Sequence, residues 1–219
     1  MLAISTIGDV GNIGKRARGG FTLVELLVAM TVFGLLLAIG VPNMTRWIVK
    51  NKAASAAEFY ADGFSTARRT AVSRNVESRI SLIPNSSNGQ LDWEVDICAP
   101  TAAIACSDIS GTWSTVTTAV TGTSGAGFLS VYRAADALPQ SSVLVPSLQP
   151  GGASYIYFTP LGWVDTNVSN RVTRIQFDPA PAYTADIPSS AVAVTLSGMA
   201  STCIPSPSVT SSDSRACPP

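Results

Sequence analysis

A single carboxylate lies inside the most apolar stretch of this sequence, directly after three cations and a Gly-Gly pair. The stretch reads KRARGGFTLVELLVAM over residues 15–30, and the carboxylate is Glu25. At full depth in a bilayer an unpaired charge costs on the order of 2.5–3.5 kcal/mol. Cleavage between Gly20 and Phe21 would create a positive α-amino group four residues before Glu25. That amine could neutralise Glu25 of its own or a neighbouring chain, and the unhindered glycines suit a peptidase.

The apolar run that follows is long enough to cross a membrane. From Leu26 to Thr45 the chain has 20 consecutive residues without a charge, which as a helix span roughly the ~30 Å of a bilayer core. A secretory signal peptide is disfavoured, because the run is too long and no clean small-x-small cleavage site follows it. An ordinary single-pass anchor fits the run and the basic residues before it, but it does not account for Glu25.

Residues 18–42, RGGFTLVELLVAMTVFGLLLAIGVP, resemble the class III signal of type IV pilins and type II secretion pseudopilins. The resemblance implies that a prepilin peptidase removes the leader 1–20 and N-methylates Phe21. It also implies that Glu25 pairs with the N-terminal amine of an adjacent subunit during assembly. Pro42 matches the proline that bends the family's long helix, as a proline inside a helix does. The 20-residue leader is longer than the commonest ones.

The periodicity of the sequence changes from helical to extended near residue 77. Up to residue 76 apolar side chains recur close to every 3.6 residues, and from Glu77 they alternate with polar ones. The predicted strands are 77–83, 91–97, 112–118, 128–134, 142–147, 154–159, 171–178 and 191–197. A helix followed by antiparallel strands predicts an α+β fold with the amphipathic half of the helix laid on a sheet. The Ser- and Pro-rich tail from Ser201 to Pro219 is predicted to be irregular and pinned only by its cysteines.

The pattern and the resemblance together predict a pilin-like α+β protein of four segments. These are a cleaved leader at 1–20, a transmembrane helix at 21–45, an amphipathic helix at 46–76 and a β-rich domain with a disulfide-pinned tail at 77–219. The expected location is the bacterial inner membrane, with a single span and the C-terminal domain in the periplasm, from where the chain assembles into a pilus or pseudopilus.

The chain has four cysteines, an even number, and all of them lie beyond the apolar run in a chain that has the features of an exported protein. Such a set favours disulfides over metal, and a zinc site would want CxxC spacing or histidines, of which the chain has none. Four cysteines allow three pairings, and the sequence does not choose among them. We favour two pairs because each closes a short polar loop. They are Cys98–Cys106 and Cys203–Cys217.

Nothing in the sequence points to catalysis or to a cofactor. With no histidine in the chain, acid–base chemistry would fall on carboxylates. Asp92, Glu94 and Asp96 alternate along one predicted strand, and we interpret them as a solvated strand face, with weak calcium binding as the alternative. We therefore expect no catalytic residue, no resident metal and no enzymatic activity.

Two further stretches resemble the FimT/GspH group of minor pilins and pseudopilins: STARRTAVSRN at 65–75 and YFTPLGWVDTNVSNRVTRIQFD at 157–178. The resemblance implies a structural subunit of a type IV pilus, or an H-type subunit of a type II secretion pseudopilus. Its partners would be the prepilin peptidase, the inner membrane and other major and minor pilins or pseudopilins.

A DNA-binding minor pilin for uptake is the alternative function. Some relatives in this group owe DNA binding to a Gly-Arg-x-Arg motif, and the matching stretch here has Met199 and Ser201 in place of both arginines. Beyond residue 20 the chain holds 11 basic and 13 acidic side chains, which gives no global signature of nucleic-acid binding. The cluster of Arg68, Arg69 and Arg74 could form a local patch, but no strong nucleic-acid binding is expected.

Overall fold

The computed structural model describes residues 21–99, 106, 111–121, 125–205 and 212–218, and of Pro42 the backbone alone. The leader 1–20, with Gly20, therefore lies outside the described residues. The chain divides into two compact units, and the boundary in the sequence falls between Met44 and Thr45.

One helix, α1, runs from Leu23 to Arg74 and contributes to both units. It contains a window of 18 residues that is long and apolar enough to cross a membrane, and that window is unburied. Helical backbone continues through Pro42, where the expected bend stays a prediction. This helix fits a single-pass membrane anchor by its length and composition.

The end of α1 is set by Asn75. Asn75 adopts a left-handed backbone conformation with φ of 52°. The N–H of Val76 reaches back to the carbonyl of Ala71 at 3.1 Å, and the N–H of Asn75 reaches Val72 at 3.3 Å. These two bonds form a Schellman motif, which satisfies the last carbonyls of a helix. The helix thus ends where the sequence pattern changes.

The second unit contains two antiparallel sheets. The strands are β1 Ser78–Pro84, β2 Leu91–Ala99, β3 Thr112–Trp113, β4 Val131–Arg133, β5 Leu144–Gln149, β6 Tyr155–Phe158, β7 Arg174–Pro179, β8 Ser190–Val194 and β9 Ala200–Cys203. The first sheet has the order β3-β2-β1-β6, with β4 also paired to β2, and the second has the order β5-β7-β8-β9. A 3-10 turn at Pro181–Tyr183 connects β7 to β8.

A stripe of small and aromatic residues packs the C-terminal half of α1 against both sheets. Its fully buried members are Ala56, Tyr60, Phe64, Ala67 and Ala71, spaced three or four apart as one helix face requires. The ring of Tyr60 stacks on Phe177 of the second sheet with 5.2 Å between centroids. Its hydroxyl donates to the carbonyl of Leu91 on the first sheet at 2.8 Å. The predicted α+β layout of a helix on antiparallel sheets is confirmed.

Gly63 allows α1 to approach the first sheet closely. A Cβ at this position would lie 2.8 Å from Ile80 and 3.1 Å from the indole of Trp93. Helix propensity alone makes this glycine a weak point of the helix, whereas the packing requires it. A side chain here would push the helix away from the core of the second unit.

Several predicted strands differ in extent from the observed ones, and two of them differ most. The strand predicted at 112–118 is only two residues long, because the hydroxyl of Thr115 accepts hydrogen bonds from the N–H groups of Thr117 and Thr118 at 3.3 and 2.9 Å. Such local bonds compete with pairing in a sheet. In β4 only three residues of the predicted 128–134 pair with β2.

The prediction that the tail from Ser201 to Pro219 is irregular and pinned only by its cysteines was wrong at its start, and residues 206–211 and 219 lie outside the described part of the chain. Residues Ala200–Cys203 form β9, which pairs with β8, and Ile204 forms a further bridge with Ala216. Strand pairing therefore holds this segment to the second sheet in addition to any cross-link. The structure joins Cys203 to Cys217 and Cys98 to Cys106, with Cα–Cα distances of 4.8 and 6.1 Å.

Candidate functional site

The first turn of α1, next to Phe21, is capped. Thr22 occupies the N-cap, and its hydroxyl accepts a hydrogen bond of 3.1 Å from the backbone N–H of Glu25. The carbonyl of Thr22 accepts from the N–H of Leu26, also at 3.1 Å. A threonine cap contributes about 1 kcal/mol to helix stability. The backbone of Glu25 is thus fixed by a side chain three residues away.

Sequence reasoning missed Thr22, although the signal was present. Residues 22–25 read T-L-V-E, and a threonine followed three residues later by a glutamate is the signature of a capping box. A carboxylate in the first helical turn also gains about 0.3–1 kcal/mol from the helix dipole. Glu25 therefore has a local role at the helix start, besides the pairing that the sequence suggested.

The apolar side chains around Glu25 are exposed in the isolated chain. Phe21 is 81% exposed, and the large apolar residues from Leu23 to Val41 are exposed as well. Leaving apolar surface in water costs about 25 cal/mol per Å². A helix of this length with such a surface needs lipid or other apolar helices around it.

The three alternating carboxylates of β2 do not form a solvated face, and that interpretation was wrong. Asp92 is buried, because Tyr132 and Ala135 fold over this face of the strand. It accepts hydrogen bonds from Asn85 and from the N–H of Ala135 at 2.7 Å each, and from the hydroxyl of Tyr132 at 2.5 Å. Among the described residues no group of three or more metal-ligating side chains could hold an ion.

These hydrogen bonds tune the pKa of Asp92. Burial by itself raises this pKa, but the bonds from Tyr132, Ala135 and Asn85 outweigh burial and hold it below the ordinary value. The hydrogen bond to Asp92 is also the main reason that the pKa of Tyr132 rises to about 12. Because the pKa of Asp92 is lowered in the fold, its stabilisation is present above the ordinary aspartate pKa and is lost as the pH falls through the folded value.

Asp96 is the centre of a second buried network. It forms an ion pair of 2.8 Å with Arg79 and accepts a hydrogen bond of 2.6 Å from Ser130. The guanidinium of Arg79 lies over the ring of Trp113, 4.4 Å from its centroid. Glu94, between the two aspartates, is half-buried, and burial followed by the charge of Asp96 raises its pKa. The carboxylates on β2 therefore contribute to the packing of the fold: Asp92 and Asp96 are buried and hydrogen-bonded, and Glu94 is half-buried between them.

Replacing Asp96 with alanine is expected to lower the free energy of unfolding by about 3 kcal/mol, because it leaves a largely buried guanidinium without its partner. The matched control is Glu94→Ala on the same strand face. That change removes a carboxylate that Asp96 disfavours, so stability should stay within about 1 kcal/mol of wild type. Denaturant titration of the purified protein, followed by tryptophan fluorescence, measures both. Equal losses in the two variants would contradict this assignment.

The three arginines near the end of α1 contact different elements. Arg68 donates from Nε to the carbonyl of Gly162 at 3.0 Å, and Arg69 lies 4.0 Å from Asp62 on its own helix. The guanidinium of Arg74 lies over the ring of Phe128, 4.8 Å from its centroid. One of the three is therefore engaged with the sheet turns, one with the helix and one with an aromatic ring.

Residues 15–41 match the family described as the prokaryotic N-terminal methylation motif. Comparison with curated proteins gave no match, and comparison with solved structures gave none either. The matched range contains Phe21, the capped Glu25 and most of the exposed apolar part of α1. It implies processing by a prepilin peptidase and assembly with other pilins. This motif marks the N-terminal segment of the chain as that of a type IV pilin- or pseudopilin-like prepilin.

Proposed function

We propose that the chain is a minor pilin or an H-type pseudopilin, a structural subunit that assembles into a type IV pilus or a type II secretion pseudopilus. The observation that carries the proposal is the methylation motif at residues 15–41, which contains the start of α1, a helix that continues into an α+β domain. The exposed helix anchors the precursor in the inner membrane and packs among other subunit helices after assembly. The domain from residue 77 onward lies on the periplasmic side.

The proposed processing site is the bond between Gly20 and Phe21, and the proposed methylation site is the new amine of Phe21. Methylation keeps that amine cationic, so it can still pair with a carboxylate. Glu25 lies one helical turn further along, with its backbone held by Thr22. In an apolar environment the most favourable partner for this carboxylate is such an amine, contributed by an adjacent subunit.

The assignment to the FimT/GspH group has a further structural support. The two stretches that resemble this group, 65–75 and 157–178, touch each other. Arg68 of the first stretch donates to the carbonyl of Gly162 of the second at 3.0 Å, and a Cβ at Gly162 would lie 2.7 Å from Val72. The residues that carry the resemblance thus form one packed region.

Recovery of the processed protein in an assembled fibre tests this function. Cells that express the prepilin peptidase and the assembly machinery should yield the processed chain in the sheared fibre fraction, at much lower amount than the major subunit. Immunoblotting against purified standards measures that ratio. A chain that is processed but stays entirely in the membrane while fibres form would contradict the proposal.

DNA uptake is not the function we propose. Arg68, Arg69 and Arg74 make separate contacts, and a protein that contacts few phosphates binds DNA weakly. We expect no mobility shift of duplex DNA at micromolar protein and ~150 mM salt. A shift that weakens steeply with added salt, and is lost in the triple alanine variant of these arginines, would restore the uptake function.

A further inference from the structure

Two turns of the second unit bring three large apolar side chains to the surface at one place. Leu161 is 74% exposed, Trp163 is 62% exposed and Leu196 is 61% exposed. They line one cleft together with Asp165. We call this set the Trp163 patch. Exposed apolar groups of this size, when contiguous, mark interaction sites rather than ordinary surface.

The backbone under the Trp163 patch is held in place by contacts between the two turns. The N–H of Val164 donates to the carbonyl of Leu196 at 3.0 Å. Gly162 and Gly198 both have positive φ, of 79° and 77°, and a Cβ at Gly198 would overlap the carbonyl oxygen of Gly162. Arg68 donates to that same oxygen at 3.0 Å. The patch is therefore preorganised, which lowers the ordering cost of binding.

Two carboxylates lie beside the Trp163 patch without a cation. Asp165 lines the cleft, and no ion pair joins Asp165 or Glu77 to another of the described side chains. Ser78, next to Glu77, pairs with Phe158, and Phe158 pairs with Val164, next to Asp165, so the two carboxylates lie on neighbouring segments. Burial, followed by the charge of Asp165, raises the pKa of Glu77. An external lysine or arginine would offset the repulsion between these carboxylates, so the rim of the patch favours a basic partner.

One apolar groove of this chain, lined by Ala53, Ala57 and Ile187, is a poor match for the patch on a second copy. It carries Lys50 and Glu58 with opposite charges. The other cation of the groove, Arg215, is already paired with Asp213 at 2.9 Å. The groove therefore offers little net positive charge to Asp165 and Glu77.

We propose that the Trp163 patch docks the globular domain of a different pilin-type subunit, whose surface offers an apolar recess for Trp163 and a lysine or arginine opposite Asp165 and Glu77. The proposal rests on the proposed function, because it takes the partner from the same assembly. Trp163 is the anchor, since tryptophans that become fully desolvated carry a large share of binding energy at interfaces. The carboxylates fix the orientation and disfavour acidic partners.

Site-specific photocross-linking in assembling cells tests the proposal with the full-length chain. Benzoylphenylalanine replaces Trp163 in one strain and Val145, an exposed apolar residue of β5, in the control strain. Position 163 should cross-link to another protein that carries an N-terminal methylation motif, identified by mass spectrometry, and position 145 should do so much less. Cross-links to a second copy of the chain, to polysaccharide or to no protein would overturn the proposal.

Substitution gives an independent readout. Trp163→Ala should reduce incorporation into the fibre by roughly tenfold or more, with processing and membrane level unchanged because the side chain is mostly exposed. Asp165→Asn keeps an acceptor for the N–H of Asn167 and should reduce the cross-link at 163. Wild-type incorporation by Trp163→Ala would overturn the docking role. If the wild-type chain itself is absent from the fibre, the proposed function is wrong. In that case the proteins cross-linked to position 163 in the membrane fraction still test whether the patch docks another pilin-type subunit.

Discussion

Mass spectrometry of the mature protein is expected to give an N-terminus at N-methyl-Phe21, and Gly20→Leu is expected to abolish this processing. The peptidase must bind the chain in an extended form at the cleavage site, and a residue without a side chain at Gly20 leaves the backbone accessible. A branched side chain blocks that approach. The uncut precursor should still insert into the membrane, because the apolar part of α1 is unchanged. Intact-mass analysis of the membrane fraction measures both forms.

The matched control is the same substitution further along the chain. Gly34→Leu lies in α1 where a Cβ meets nothing within 4 Å, so it should be cut and methylated as wild type. An intact leader on the wild-type chain, in cells with an active prepilin peptidase, would contradict the assigned cleavage site. Complete processing of Gly20→Leu would contradict the role of this glycine.

Glu25→Ala is expected to leave cleavage largely intact and to reduce fibre incorporation by more than tenfold. In the fibre the carboxylate and the amine of a neighbouring Phe21 lie in an apolar environment, and removing one member leaves the other unpaired at a cost of about 3–5 kcal/mol. Each 1.4 kcal/mol corresponds to a factor of about ten in an equilibrium. The free membrane pool is affected less, since water and headgroups still reach the amine there. The ratio of fibre to membrane protein on immunoblots measures the effect.

Glu25→Gln separates the charge of Glu25 from the hydrogen-bonding capacity of its side chain. A glutamine serves as well as a glutamate in a capping box, but it carries no charge. If the charge is what matters, Glu25→Gln should be nearly as defective as Glu25→Ala. Wild-type incorporation of the glutamine variant would show that the charge of Glu25 is not required, and normal incorporation of the alanine variant would show that its side chain is not required at all.

The N-terminal part of this protein could be predicted from its sequence because its signals are local. The methylation motif and the apolar run of α1 are each read within one continuous stretch of chain. The cap at Thr22, which sequence reasoning missed, has an equally local signature. The end of α1 at Asn75 is equally local, since it depends on one residue in the left-handed conformation. The two disulfides join cysteines only 8 and 14 residues apart, which is the pairing that closes the shortest loops.

The surroundings of β2 and the Trp163 patch were decided by the tertiary structure. The alternation of polar and apolar residues along β2 shows that Asp92 and Asp96 lie on one face of the strand. It does not show that Tyr132 and Ser130, more than 30 residues later in the chain, cover that face. Likewise, Trp163 and Leu196 come together only because the turns of two different sheets meet beside Arg68. The periodicity of a sequence indicates which face of its own strand or helix each side chain lies on. It does not indicate which distant segment of the chain packs over that face.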